Sequence, residues 1–399
     1  MSLSSRHPGV PTGEGDFWVV VMDRWVCCLE TPGDGPAAVQ VAPSTLSVLG
    51  ARWASAPYSS SMGNSGERLS RGRRQALVAL IVSGAIGYQR LGERRDRRRY
   101  PPPGRRTSVD GRSLHWVDHG GSGIPIMIET GAGSLATGWS GIVSDMAGCG
   151  HVYSYDRAGM GWSDPGPLRP SPSAAADDLA AAIASTGEPG PWILIGHSLG
   201  GIYARLFQRR HPEVVAGMVL VDSSHEEMLG RIRAEVGSWA VAAQVGLGLA
   251  MAAAPRSLGR LLVDTGLGRK PMARLVGGDS PAEQRRQAAL YLTSAFRRAQ
   301  LAELLAVPSY LAELRNGNRH LGSLPVAVVT AADPSTGSRS PMARFRPAWV
   351  AMQDDLTSLS TRSARLTATT GGHYVHLDDP KTVLAGLEWV IDRLAESPR

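Results

Sequence analysis

In the stretch Trp192 to Arg210 (WILIGHSLGGIYARLFQRR), Gly196-His197-Ser198-Leu199-Gly200 sets a serine between two glycines, with an apolar extended run before it and a helix-capable run after it. A serine hydroxyl is a poor nucleophile unless a base can reach it, and a tight strand-to-helix turn lifts it out at the sheet edge in a strained conformation. The glycines two residues either side are needed because side chains there would collide with the crowded turn. The helix that follows aims free N–H groups and its positive end at the reacting centre. The bare pattern G-x-S-x-G has little weight, since this composition yields about 0.5 matches by chance. It occurs once, in the strand, turn and helix setting that the chemistry requires, and this marks Ser198 as the nucleophile.

Two further segments share that logic and are similar, with the first, to the α/β-hydrolase superfamily over about residues 108 to 396. Tyr155-Asp156-Arg157-Ala158-Gly159-Met160-Gly161-Trp162-Ser163 resembles the D-R-x-G-x-G-x-S loop after the superfamily's fourth strand. Gly372-His373-Tyr374-Val375-His376-Leu377-Asp378-Asp379-Pro380 resembles its C-terminal histidine loop, where a proline seven residues after the histidine opens the last helix. The order of the segments also agrees. The resemblance implies the serine-nucleophile branch, esterase-like or prolyl-iminopeptidase-like, and a serine at the elbow separates the chain from epoxide hydrolases and haloalkane dehalogenases, which use aspartate there.

A serine hydrolase needs a base for the hydroxyl proton, an acid to orient the base, and donors for the oxyanion. His373 is the expected base, with His376 as its competitor, and His197 is expected to shape the pocket. For the acid, the superfamily's usual position falls on Asp333, just past Val326 to Thr330, while Asp222, at the end of Val219-Leu220-Val221, is the alternative. The oxyanion donors expected are the backbone N–H groups of Leu199, directly after the nucleophile, and Ala132, with Gly133 in reserve. The loop Glu129-Thr130-Gly131-Ala132-Gly133 departs from the superfamily's common His-Gly pair. Asp156 and Arg157 are expected to clamp the structure beneath the site. No cofactor and no metal is implied.

These residues must be held by an α/β architecture, because short β-rich runs alternate with helical stretches from Ser108 onward, the pattern of a mostly parallel, doubly wound sheet. Expected strands are Ser113 to Val117, Pro125 to Glu129, Val152 to Tyr155, Trp192 to Ile195, Gly217 to Val221, Val326 to Thr330 and Arg365 to Ala368, with helices at Ala174 to Thr186 and Gly200 to Arg210. Between Asp222 and Val326 lie about a hundred residues, far more than an ordinary connection. They read as an inserted helical lid, in which Ser280-Pro281-Ala282-Glu283 is a capping box and Ala288, Leu292, Ala295, Phe296 and Ala299 line one face. Trp239 to Ala254 reads as apolar lid core. The core is thus expected at 108–225 and 321–399, the lid at 226–320.

The chain has 399 residues, 43% of them hydrophobic and 19% charged, so a large core is within reach and wholesale disorder is excluded. Cys27, Cys28 and Cys149 make neither a disulfide framework nor a four-ligand zinc site. Eleven arginines against two acids give +9 between Arg71 and Arg106, so of the whole chain's +7 the remainder carries −2, and the body is not basic and not a nucleic-acid binder. Within that stretch (71–107), Ala76 to Tyr88 is apolar and lacks a polar face. It reads as an uncleaved membrane-anchor helix with an arginine collar for anionic lipid, followed by the stiff spacer Pro101 to Pro103, and otherwise a cytoplasmic body. Residues 1–70 read as a low-order extension, and Met62 is a candidate translation start. The expected partner is a small, apolar, uncharged or acyl-bearing molecule: an ester, lactone, thioester or small amide. An acyltransferase with the same triad, or a non-catalytic ligand-binding protein of this fold, are the alternatives.

Overall fold

The computed structural model describes residues 65–237, 256–267, 280–332, 341–369 and 372–396. Asp333, the stretch Trp239 to Ala254 and the extension up to residue 64 lie outside the described residues. The chain falls into two compact units that part between Tyr88 and Gln89.

The body is built on one eight-stranded sheet of β1 (Arg105–Val109), β2 (Arg112–Asp118), β3 (Pro125–Glu129), β4 (His151–Asp156), β5 (Trp192–His197), β6 (Val215–Val221), β7 (Val326–Thr330) and β8 (Ser363–Thr367). The strand order is β1-β2-β4-β3-β5-β6-β7-β8. β1 and β2 pair antiparallel with each other, β2 pairs antiparallel with β4, and the pairs from β4 to β8 are parallel. Each expected strand is present. β1 was not expected: it falls across the boundary drawn at 107, because Asp110 and Gly111, both at positive φ, make the two-residue turn that joins it to β2.

Strands β3, β5, β6 and β7 read as unbroken apolar runs because both of their faces are covered. Met127, Leu194, Leu220 and Val328 pack on one side with Leu179 of α3 (Pro172–Thr186) and Phe207 of α4 (Leu199–Arg210). Ile128, Ile195, Val219 and Val329 pack on the other with Ile142 of α2 (Ser140–Met146) and with residues of the last helix, Pro380–Ala395, including Leu387. The chain order reverses at β3, with β4 on one side and β5 on the other, and the crevice above such a switch point is where open α/β sheets bind ligands. The carboxyl ends of β3, β5 and β6 carry the Glu129 loop, Ser198 and Asp222 respectively.

The described part of the insertion after β6 is helical: α5 (Met228–Val236), α6 (Arg256–Asp264), α7 (Pro281–Tyr291) and α8 (Ser294–Asn316). Ser280 caps α7 by accepting from the Glu283 N–H, as the capping box requires. The single face drawn from Ala288 to Ala299 is in fact two helices, because Thr293 caps a new start by accepting from the Phe296 N–H.

The arginine-rich segment forms one helix, α1 (Ser65–Arg99). Its last turns are bound to the body. Gln89, Glu93 and Asp96, spaced to share one helix face, meet the lid: the Gln89 amide donates to Leu292 O (2.6 Å), the Ser294 N–H donates to Glu93 (2.9 Å), and Arg260 pairs with Asp96. No described helix is long and apolar enough to cross a membrane, and this corrects the transmembrane expectation. The apolar run Ala76 to Tyr88 is about 20 Å long at about 1.5 Å per residue, against about 30 Å of hydrocarbon.

Candidate active site

β5 runs straight into the turn at Ser198, whose backbone sits at φ 53° and ψ −122°, a conformation unusual for a residue with a side chain. Hydrogen bonds hold it there from both sides. The Ser198 N–H donates to Val221 O (3.0 Å), and Ser198 O accepts from the N–H groups of Gly201 (3.0 Å) and Ser224 (2.9 Å). The elbow glycines are steric necessities: a Cβ at Gly196 would lie 2.6 Å from Gly201 Cα, and one at Gly200 would overlap the carbonyl oxygen of Glu129. α4 begins at Leu199, so the amides of Leu199 and Gly200, ahead of the paired Gly201, belong to the open first turn of a helix next to the serine.

From the far end of the chain, His373 Nδ1 donates to Asp222 Oδ2 at 2.6 Å. Asp222 is fully buried at the end of β6, with φ 39°. Its other oxygen accepts from the Trp349 indole (3.0 Å) and the Ala331 N–H (3.2 Å), and Arg346 lies 3.9 Å away. Burial pushes the Asp222 carboxyl up, but the His373 hydrogen bond and charge, Arg346 and the indole together outweigh it and leave the group below its ordinary value. Asp222 is therefore a carboxylate pinned on both oxygens. The carboxylate that meets His373 is the one held in reserve by the sequence reading, and Asp333 is outside the described residues.

His373 is placed beside the elbow by the residue next to the serine. His197 Nε2 donates to the backbone oxygen of His373 (3.0 Å), and the two imidazoles are 4.8 Å apart, centroid to centroid. Burial, helped by the nearby His376 and His373, pushes His197 well below the ordinary histidine range, so it is a neutral brace. His376 is also neutral. Burial and His373 push it down to about 3, and its ring stacks on Trp139 at 4.2 Å, with no carboxylate paired to it among the described residues.

The loop after β3 runs beside the turn. Gly131 lies against the elbow, where an added Cβ would stand 2.8 Å from His197 Nδ1 and 3.3 Å from Ser198 Cβ. The Gly133 N–H is taken by Glu303 Oε2 (2.8 Å), while the amides of Ala132 and Leu199 donate to no described acceptor. Beneath the loop, the buried Arg157 donates to Glu129 Oε1 (2.7 Å), Thr130 O (2.6 Å), Gly131 O (2.6 Å) and Glu303 Oε1 (2.7 Å). Asp156 accepts from His115 Nδ1 (2.8 Å) and from the N–H groups of Ala136 and Trp162. Both are structural clamps. Among the described residues no cluster of His, Cys, Asp or Glu is arranged to hold a metal.

Glu303, Trp349 and Arg346 are site residues that the sequence reading did not find. For Glu303 a signal existed: it lies seven residues after Phe296 and four after Ala299, on the buried face of α8, and a buried carboxylate needs a partner. Trp349 and Arg346 carry no local signature, since only the fold brings α9 (Pro341–Thr357) against β7, β8 and α5.

The profile of the alpha/beta hydrolase family matches residues 119–386. An uncharacterized protein of Schizosaccharomyces pombe is 27% identical over 254 residues, 61% of this chain and 41% of that protein, so the chain spans under half of that relative's length. Two solved structures share the fold. A probable hydrolytic enzyme from Pseudomonas aeruginosa has a TM-score of 0.51 at 18% identity, covering 72% of this chain and 95% of that one. A haloalkane dehalogenase loop variant from Bradyrhizobium elkanii has a TM-score of 0.53 at 18% identity, covering 74% and 98%.

Proposed function

The chain belongs to the alpha/beta hydrolase family, and we propose that it is a serine hydrolase of the carboxylesterase kind. The observation that carries this reading is the His373 to Asp222 hydrogen bond formed beside the strained Ser198 elbow. Asp222 holds the imidazole with its proton on Nδ1, so that Nε2 presents a lone pair to the serine hydroxyl. Ser198 Oγ attacks the substrate carbonyl as His373 takes its proton, and the oxyanion rests on the Leu199 and Ala132 amides. His373 then protonates the leaving group, and water, activated by the same imidazole, releases the acyl group.

The apolar character of the inserted segment, read from its sequence, favours an ester, lactone, thioester or small amide with an apolar acyl part. The test is a panel of p-nitrophenyl esters of rising acyl length beside aminoacyl-naphthylamides, with a fluorophosphonate probe. The expected result is turnover of short and medium acyl esters, labelling of Ser198, and loss of both in Ser198→Ala. An unlabelled Ser198 would favour a ligand-binding protein, and acyl transfer to an added alcohol in preference to water would favour an acyltransferase.

The apolar turns of α1 belong to this reading as a lipid-surface contact. Leu77, Val78, Leu80, Ile81, Val82 and Ile86 are all exposed, and arginines flank the run in sequence, a match for one leaflet of an anionic bilayer. Co-sedimentation with phosphatidylcholine vesicles carrying phosphatidylglycerol, lost in Leu80→Glu/Ile81→Glu, is the expected outcome. Equal sedimentation of that variant, or concentration-dependent dimerisation without vesicle binding, would overturn it.

A further inference from the structure

The lid helix α8 carries a carboxylate that is wired into the oxyanion loop. Glu303 is 7% exposed and lies on the same buried face as Phe296, Ala299 and Ala306. Its two oxygens have separate duties. Oε2 accepts the Gly133 N–H (2.8 Å), and Oε1 accepts from Arg157 Nε (2.7 Å) and, at 3.4 Å, from the Tyr203 hydroxyl. The remaining Arg157 donors grip Glu129, Thr130 O and Gly131 O, on the incoming limb of the same loop. Arg157 thus fastens the loop before Ala132, and Glu303 fastens it after Ala132. Gly133 takes up φ 59°, and a Cβ there would meet Gln300 of the same lid helix at 2.9 Å.

From this arrangement we infer that Glu303 is a positioning residue for the oxyanion hole. By taking the Gly133 amide and tying Arg157 in place, the lid carboxylate determines that Ala132, and not Gly133, is the free donor, and determines where that donor points. Seating of α8 and assembly of the oxyanion site are therefore a single event. The inference rests on the serine-hydrolase reading above and adds to it that the lid contributes directly to transition-state geometry.

The distance argument supplies the expected size. Displacement of a reacting or stabilising group by about 1 Å costs on the order of a hundredfold in rate, and loss of one oxyanion donor costs about a hundredfold to a thousandfold. Glu303→Gln retains one acceptor oxygen and so serves either Gly133 or Arg157, not both. Glu303→Asp keeps the charge but retracts it by one methylene, and serves as the second variant if the glutamine form folds poorly. For both, the expected result with a p-nitrophenyl ester is a kcat lowered about tenfold to a hundredfold with KM held within about threefold. Affinity for an aryl trifluoromethyl ketone, whose serine adduct places an oxyanion in the hole, should fall by the same factor as kcat. Glu313→Gln, farther along α8, is the control and should leave all three unchanged.

A purely structural role would lower the melting temperature and raise KM while leaving the ratio of ketone affinity to ester KM at its wild-type value, and that result would overturn the inference. So would an unchanged kcat in the folded aspartate variant. The two readings fail differently: a wild-type protein whose Ser198 is not labelled by fluorophosphonate ends both, whereas a labelled, active wild type with an unaffected Glu303→Asp ends this one alone.

Discussion

Asp222→Asn is the sharpest perturbation of the proposed mechanism. In the wild type, Asp222 Oδ1 accepts from Trp349 Nε1 at 3.0 Å and from Ala331 N–H at 3.2 Å, while Oδ2 accepts from His373 Nδ1 at 2.6 Å. Asparagine has one acceptor oxygen, and two donors already claim the Oδ1 position. The amide NH2 therefore turns toward His373, which must then present a lone pair at Nδ1 and carry its proton on Nε2. An imidazole in that tautomer cannot accept the Ser198 proton. The analogous change in a serine protease triad lowers kcat about ten-thousandfold, which corresponds to about 5 kcal/mol of transition-state stabilisation. The assay is steady-state hydrolysis of a p-nitrophenyl ester beside the rate of fluorophosphonate labelling, and both should fall together while KM changes little. Fold integrity is read from the melting temperature, because Asn keeps the bonds to Trp349 and Ala331. Asp333→Asn is the paired measurement and should retain activity to within a few-fold. Activity that survives Asp222→Asn and collapses in Asp333→Asn would refute the assignment of the acid.

His376 gives the chain a dependence on acid. Burial, reinforced by His373, pushes its folded value down to about 3 from the ordinary 6.5, so the unfolded chain binds a proton that the folded one does not between those limits. Stability is complete above about pH 6.5 and falls by about 1.4 kcal/mol for each pH unit below it, or about 2 kcal/mol by pH 5. His376→Phe keeps a ring on Trp139 and should flatten urea midpoints over that range by one proton's worth, and a variant with the wild-type slope would contradict the buried neutral imidazole. Gly200→Ala drives a methyl group into the Glu129 and Thr130 carbonyl oxygens, the latter at 2.7 Å. It should lower stability by about 1–3 kcal/mol and abolish ester turnover, whereas near-wild-type activity would mean that the elbow is looser than described.

Much of this molecule is written locally. The apolar runs of β3, β5, β6 and β7 are complete strands by themselves because strands covered on both faces need no alternation. The elbow is likewise local: glycines at 196 and 200 are demanded by contacts within a single strand, turn and helix. The Asp110-Gly111 hairpin that makes β1 is local as well, an Asp-Gly pair between two short extended runs. What the chain order alone leaves open is which distant side chains meet. In sequence, Asp222 and Asp333 each follow an apolar strand, and the pattern does not choose between them. The sheet register that brings Asp222 N–H to Val329 O, and α9 that brings Trp349 and Arg346 over it, are assembled from segments more than a hundred residues apart. The same holds for Glu303, which lies 146 residues from Arg157 in sequence and 2.7 Å from it in space. A local pattern can specify a turn or a strand because its energy comes from neighbouring residues. The partner of a buried charge is decided only when packing removes water from both groups and leaves each dependent on the protein groups around it.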